Sequence, residues 1–537
     1  MADVVVVGGG HNGLVCAAYL ARAGIDTVLI EARETVGGCA STVSDLGARF
    51  NICNCDHTMI RATPIIDDLD LAAHGLRYLE ANPTFVNLFH DGSEPWVGVH
   101  DVDGQLDALA ATHPAQVEAY RTYLADALPV AELIVAMART HPGPVRIAAG
   151  VAERRARGLR TLWNWSRSSA SEVLERYFDD WHMVMPAVSV GPTVWGVPPD
   201  VPGTGLAAAS YALRHLVRTG RPQGGSGALT DALEASFVAA GGQVRTGSPV
   251  TSLILHDGAV GGVRTADGDS VSAPVVVAAC DPQRVLLDWV ERVPAPARRL
   301  IGQRRSLPEM DGYESKIDAV LTGLPTYPFA GAIEHITGSN SLEPTLVVSP
   351  SPAQLANAHT ARSAGTVAEQ PTMLVNIPSV LDPSMITAAG EHVLSLEVLF
   401  TPYDTPGGWP GSPEPARWLG LWENLAGDGA AALVDRYRAM TPDRYEAEFS
   451  MHRGHTPSYA EAPLSALVGR RPELTRYRTP IEGLYLSGAA TYPGAGVFGA
   501  AGRNAAHAVR RDLQSLPART LVTMRHRSAR IMAQLRR

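Results

Sequence analysis

Asp3-Val4-Val5-Val6-Val7 is a β-branched run with no polar alternation, and it leads directly into Gly8-Gly9-Gly10-His11-Asn12-Gly13. Few folds accommodate that junction. A short, uninterrupted apolar run reads as a strand buried on both faces of a parallel sheet. A parallel sheet needs a crossover, and the alanine-rich stretch Leu14 to Ala23 supplies one as a helix stopped by Gly24. Thr27-Val28-Leu29-Ile30 is then a second strand, closed by Glu31. Strand, G-x-G-x-x-G, helix, strand and acid, in that register, form the fingerprint of a dinucleotide site.

Each part has a physical job. Gly8 permits the tight turn, Gly10 lets the backbone approach a pyrophosphate, and Gly13 lets helix and strand pack closely. His11 and Asn12 complete the same loop. The phosphates rest on the helix N-terminus, where free N–H groups and the positive dipole end favour an anion. Glu31 is placed to accept hydrogen bonds from the adenosine ribose, and its charge argues against a 2′-phosphate there.

At 537 residues the chain is too long for one ordinary core, so two intertwined domains are expected. Its 45% hydrophobic and 18% charged residues describe a well-folded chain. A net charge of −9 gives no reason to expect nucleic acid as a partner. The five cysteines (Cys16, Cys39, Cys53, Cys55 and Cys280) form neither C-x-x-C nor a zinc spacing, so no metal is expected. A reduced, cytoplasmic setting is the simplest reading. Val4–Val7 already belongs to the first strand, leaving no signal-peptide pattern before it. No stretch approaches the roughly 18–20 apolar residues of a membrane span.

Along the chain, Cys53, Cys55 and His57 stand in a polar segment that reads either as a loop facing a site or as groups satisfied in a core. C-x-C-x-H alone is an incomplete metal site. Residues 65–215 read as mainly helical, with an i, i+3, i+4 repeat over Gln116–Met137 that Pro129 is expected to break. Trp163, Trp165, Trp181 and Trp195 concentrate there, as core packing or as the wall of an apolar pocket. From Pro222 to Asp281 the pattern returns to α/β, ending in the buried strand Val275–Ala279. Gly224-Gly225-Ser226-Gly227 does not satisfy G-x-G-x-x-G, so no separate nicotinamide domain is expected. Strands are expected at Lys316–Leu321 and Glu391–Leu399, and a helix from Trp418 to Met440, broken at Gly427-Asp428-Gly429. Arg453, His455 and Tyr459 lie in a polar stretch that reads as a solvated loop or a pocket lining. Gly483–Ala490 is a strand ending in small residues, followed by Thr491–Gly499 and a small-residue helix, which together let a planar ring lie against backbone.

The block Glu31-Ala32-Arg33-Glu34-Thr35-Val36-Gly37-Gly38 resembles the E-x-R-x-x-x-G-G extension of FAD-binding two-dinucleotide-binding-domain flavoproteins. Together with Val6–Leu14, Gly224–Leu229 and residues 483–508, it makes the chain resemble the phytoene-desaturase-like flavoproteins. Within them the resemblance is to the branch labelled pyridine nucleotide-disulfide oxidoreductase domain-containing proteins. It implies an α/β fold, an interrupted Rossmann-type domain holding noncovalent FAD, and a mixed α+β substrate domain. The cofactor domain would comprise residues 1–64, 222–290 and 475–515, and the substrate domain 65–221 and 291–474, with 516–537 a basic tail. The resemblance assigns Gly8, Gly10, His11, Asn12 and Gly13 to the pyrophosphate loop, and Glu31, Ala32 and Arg33 to the ribose end. Gly37, Gly38, Cys39 and Ala40 fall near the flavin, Val250 near adenine, and Gly488, Gly496 and Val497 at the C-terminal flavin contact. Two stretches depart from the family pattern. Thr491-Tyr492-Pro493-Gly494-Ala495-Gly496 stands where T-H-P-G-G-G is common, and the Cys53–His57 segment is atypical. No C-x₄-C pair is present, so disulfide reduction is not expected.

The function this implies is an FAD-dependent dehydrogenase or desaturase, moving hydride from a C–H bond of a largely apolar small molecule to flavin N5. The product carries C=C or C=N. The lost proton needs an acceptor, for which His57 and Tyr492 are the candidates. Oxygen or a quinone would reoxidise the flavin. Alternatives are a flavin amine oxidase acting on an amine-containing substrate, although Gly488-Ala489 replaces that group's usual Gly-Asp, a reduced-flavin isomerase, and a non-catalytic flavin-carrying partner. Residues 517–537 carry six arginines and no acid, and Leu521, Met524, Ile531, Met532 and Leu535 share one helical face. They read as a peripheral membrane contact or a solvated end.

Overall fold

The computed structural model describes residues 2–53, 55–139, 158–189, 197–307, 312–455 and 471–515. The basic tail, Trp195, Tyr459 and residues 191–196 of the 191–203 connector lie outside the described residues.

The buried valine run is the centre of a five-stranded parallel sheet. Its strands are β1 (Val4–Val7), β2 (Thr27–Ile30), β3 (Gln243–Arg245), β4 (Val275–Ala278) and β5 (Leu484–Leu486), in the order β5-β4-β1-β2-β3. β1 pairs with β2 on one side and β4 on the other, setting Val4 opposite both Thr27 and Val275. Alternation explains why no polar residue interrupts β1. Val4 and Val6 enter a core shared with the helices α1 (His11–Arg22), α2 (Gly227–Ala239) and α3 (Ala500–Ser515). Val5 and Val7 face the opposite way, onto Trp289 and the antiparallel strands 250–256, 259–265 and 270–272. Both faces are covered, so both parities must be apolar.

Three glycines let backbone lie on backbone at the heart of this layer. A Cβ on Gly13 would stand 1.9 Å from the Gly8 carbonyl oxygen. A Cβ on Gly502 would stand 2.0 Å from the Asn12 carbonyl oxygen, so α1 and α3 touch without intervening side chains. Gly8 itself has φ +103°, which a side chain rarely adopts.

The second sheet has seven strands, in the order 434–440, 313–321, 392–401, 373–376, 345–349, 85–89 and 96–98. Only the 345–349/85–89 pair is parallel. A helical layer packs beside it, with Tyr120, Tyr123, Trp165 and Tyr211 in its core. The helix Val117–Arg139 continues through Pro129 rather than breaking there. Trp165 is buried in that core, whereas Trp163 is exposed.

The 418–440 stretch is half helix, half strand. The helix runs from Glu414 to Ala426 and stops at Gly427, whose φ is +81°. Val434–Met440 is instead an edge strand paired with Tyr313–Leu321. Its alternation of exposed and half-buried residues is a period of two, and ion pairs fix its register. Arg436 binds Glu391 (2.9 Å) and Arg438 binds Asp318 (2.8 Å). No described helix is long and apolar enough to cross a membrane.

The contact between α1 and α3 gives a direct test. Gly502→Ala forces a methyl against a backbone carbonyl that cannot yield, and overpacking of that kind costs about 1–3 kcal/mol. The urea unfolding midpoint is expected to fall accordingly, while Gly302→Ala, at an exposed helix position whose added Cβ meets nothing within 4 Å, holds or slightly raises it.

Candidate active site

In an open parallel sheet, ligands bind beyond the carboxyl ends of the strands. Here four of those ends converge on one cavity of about 500 Å³. β1 delivers Gly8, β2 delivers Glu31, β4 delivers Ala279, Cys280 and Asp281, and β5 leads to Gly488.

The glycine loop is braced from behind. The Gly9 N–H donates to Glu31 Oε2 (2.6 Å) and the Arg33 N–H to Glu31 Oε1 (2.9 Å), so the acid anchors the turn as well as lining the cavity. The Ser248 N–H donates to the Glu31 carbonyl (2.9 Å), which draws Ser248, Pro249 and Val250 to the same end. Gly10 sits at the N-terminus of α1 and lines the cavity, and a Cβ there would meet nothing within 4 Å. The space in front of it is therefore open to a ligand. His11 Nε2 and Asn12 Oδ1 are buried on this wall with no partner among the described residues. Burial lowers the His11 pKa to about 4, against the opposing pull of the Gly496 backbone, so the ring is neutral. Unpartnered buried polar atoms at a helix N-terminus, beside a glycine with open space, fit a polar, phosphate-bearing cofactor.

Small residues continue the wall: Gly38, Cys39 and Ala40 from one side, Gly488, Ala489, Ala490, Ala495, Gly496 and Val497 from the other. The mixed sheet closes the cavity with Tyr313, Glu314, Leu374, Glu397 and Leu399, and Phe449 and Met451 join them. Cys53 and Asp56 lie here too. The Cys53 thiol donates to Glu314 Oε1 (3.4 Å), and the Cys39 thiol to Met451 Sδ (3.2 Å). All five cysteines are free. Asp56 is held by Arg221 (2.7 Å) and by the Thr345 hydroxyl.

Charges beneath this wall are compensated. Lys316, fully buried, donates to the Asn51 carbonyl (2.7 Å) and to Asp318, which also binds Arg438. Glu397 is different. It is buried, its Oε1 has no partner among the described residues, and burial first, then Glu314, raise its pKa to about 8.

Of the cofactor residues expected from sequence, all but Gly37 line this cavity. Gly37 stands behind the wall, donating its N–H to the Gly9 carbonyl (2.8 Å), and its φ of +121° sets the turn into Gly38. The two expected proton acceptors are not on the cavity. His57 is fully buried elsewhere, with Nδ1 bonded to the Tyr78 hydroxyl (3.1 Å) and Nε2 to the Ser226 hydroxyl (2.7 Å). Burial lowers its pKa to about 3, so it is a satisfied neutral core histidine. Tyr492 packs into the core beneath the parallel sheet, and burial raises its phenol to about 12. Glu314 and Glu397 went unnoticed in the sequence, although a glutamate between Leu396 and Val398 in a buried strand was a visible anomaly.

A family model for flavin containing amine oxidoreductases matches residues 13–310, more than half of the chain. The chain belongs to that family. It is an FAD-dependent oxidoreductase acting on a small molecule. It is 29% identical to pyridine nucleotide-disulfide oxidoreductase domain-containing protein 2 of Rattus norvegicus, over 96% of this chain and 94% of that one. It is 25% identical to the lycopene-forming phytoene desaturase of Pseudescherichia vulneris, over 93% and 96%. The two families of resemblance therefore coincide. Among solved structures, an oxidoreductase from Methanosarcina mazei shares the fold, with a TM-score of 0.58 and 17% identity over 95% of this chain and 99% of that one.

Two measurements check the flavoprotein's geometry. Gly10→Ala adds a methyl that meets no protein atom, so the thermal midpoint of the FAD-stripped protein should stay unchanged while FAD affinity falls about tenfold or more. The second concerns pH. Glu397 keeps its proton in the folded chain to a higher pH than an unfolded carboxylate does, so its contribution to stability is full at low pH and lost as pH rises. Between about pH 5 and about pH 8 the thermal midpoint of Glu397→Gln should fall less than that of the wild type.

Proposed function

We propose that this flavoprotein dehydrogenates a small molecule with a largely apolar body, leaving a C=C or C=N bond. The observation that carries the reading is the continuity of the cavity. One wall is glycine loop and backbone, and the other is Tyr313, Leu374, Leu399, Phe449 and Met451. FAD, when bound, supplies a two-electron acceptor that takes hydride from a C–H bond.

The chain's own residues bind, orient and exclude water. Gly8, Gly10 and Gly13 with the α1 N-terminus hold the pyrophosphate, and Glu31 meets the ribose while it fixes the Gly9 N–H. Gly38, Cys39, Ala40, Gly488, Ala489, Ala490, Ala495 and Gly496 are small enough for a planar ring to lie against backbone. The carbon surface of Leu374, Leu399 and Phe449 seats the substrate and keeps water from the reacting carbon. The similarity to a phytoene desaturase supports a hydrocarbon substrate, and the family's amine-oxidising members support a C–N bond as the second reading. Glu314 on the same wall favours that second reading, since a carboxylate suits an ammonium group.

The second match to G-x-G-x-x-G, Gly494–Gly499, lines the same cavity through Ala495, Gly496 and Val497, and oxygen or a quinone is the proposed electron acceptor. Under anaerobic conditions limonene, squalene or cyclohexylamine is expected to bleach the flavin absorbance of the holoprotein, and NADPH is not. Rapid bleaching by NADPH would overturn the acceptor assignment, and a flavin that none of the three organic probes bleaches would overturn the dehydrogenation itself.

A further inference from the structure

Dehydrogenation removes hydride from one atom and a proton from its neighbour, and the electron pair left behind closes the double bond. The hydride belongs to the flavin chemistry. The proton needs a base on the protein that lines the cavity and is not already committed to other bonds.

Most candidates fail on geometry. His57 and Tyr492 do not reach the cavity, and both ring nitrogens of His57 are bonded. Asp56 is held by Arg221 and Thr345. The His11 ring is buried and hydrogen-bonded to the Gly496 backbone, and its lowered pKa makes it a poor base. A hydrogen bond with Cys39, and then burial, hold the Cys53 thiol in its protonated form. His452 lines the cavity from a half-exposed turn and is engaged by other groups.

One group remains. Glu397 lies in the strand His392–Thr401, and the period of two puts it on the same face as Leu399, which also lines the cavity. Strand pairing sets Lys316 opposite it on one side and Leu374 on the other. Lys316 spends its ammonium on Asp318 and the Asn51 carbonyl, leaving Glu397 Oε1 without a partner. On the neighbouring strand Glu314, also on the wall, accepts from Cys53.

We propose that Glu397 is the proton acceptor of the dehydrogenation, its carboxylate taking the proton from the atom beside the carbon that gives up hydride. This rests on the dehydrogenation reading above. In C=C formation that atom is carbon, and in C=N formation it is nitrogen. The base gains one proton and becomes a neutral carboxylic acid, the substrate loses two electrons and two hydrogens, and no further reactant is needed for this half-reaction.

The groups facing Glu397 explain when it acts. Glu314, Asp56 and Asp318 oppose its ionisation and Lys316 favours it. Cys53, Cys55 and Tyr445 also interact with it, all three held protonated by their surroundings. Burial leads, and the proton is kept to about pH 8. The base form therefore grows in as pH rises toward that value, and the rate should rise with it.

The test compares wild-type, Glu397→Gln and Glu397→Asp holoproteins. Infrared titration, which needs no turnover, should show a carboxylic-acid carbonyl band in the wild type that disappears near pH 8 and is missing from E397Q. With whichever of limonene, squalene and cyclohexylamine bleaches the wild type, E397Q should bleach about 100-fold or more slowly and lose the rise with pH. Its FAD content and visible spectrum should match the wild type, and E397D should recover part of the rate. An E397Q rate within about threefold of wild type with the same pH rise overturns the assignment, and so does an infrared spectrum unchanged by the substitution. A wild-type flavin bleached by none of the probes removes the dehydrogenation reading and the base with it, a failure distinct from both.

Discussion

The carbonyl oxygen of Gly8 occupies the place where a side chain on residue 13 would begin, and much of the molecule hangs on that backbone contact. Because α1 can lie this close to the end of β1, its first N–H groups open at the same level as the ends of β2, β4 and β5. Gly502 extends the same logic to α3, which presses on the Asn12 carbonyl. The cofactor wall is thus made of main chain from distant stretches, brought together because no side chain keeps them apart. Dispersion and buried apolar area hold the layer, but the glycines decide its spacing.

The opposite wall works by other means. It is built from side chains of a mixed sheet, and its charges are handled one by one. Lys316, Asp318, Arg438 and Asp45 form one chain of ion pairs whose charges balance, largely buried, where an unpaired charge would cost several kcal/mol. Asp56 is answered by Arg221. Glu397 alone among these groups has a buried side-chain oxygen with no partner among the described residues, and the same low polarity that suits an apolar substrate holds its proton. A neutral carboxyl in an apolar wall costs far less than a charged one. That is why it persists there.

Two residues show how chemistry-bearing types mislead when read one at a time. His57 lies in a segment rich in cysteine and polar groups, yet Tyr78 and Ser226 absorb both of its nitrogens in the core. Tyr492 follows the strand that leads to the cavity, but its ring turns under the parallel sheet. Neither outcome was written in local sequence, since the partners of His57 lie 21 and 169 residues away. The strand Val434–Met440 teaches the same lesson for secondary structure: its partner is Tyr313–Leu321, and the pairing overrides a stretch that reads as helix.

The sequence by itself determined the β1–α1–β2 unit, the glycine loop and the acid after β2, because each depends on backbone conformation and on contacts within some thirty residues. It also determined the small-residue stretches 488–490 and 494–496, since only small side chains admit a flat ring. Tertiary structure alone decided which side chains face the cavity. A β-strand offers two faces, and only the pairing of 313–321 with 392–401 and the packing around them turned Glu314 and Glu397 toward the cavity. Burial and charge are properties of that assembled environment, so the state of Glu397 could not be read from its identity or its neighbours in the chain.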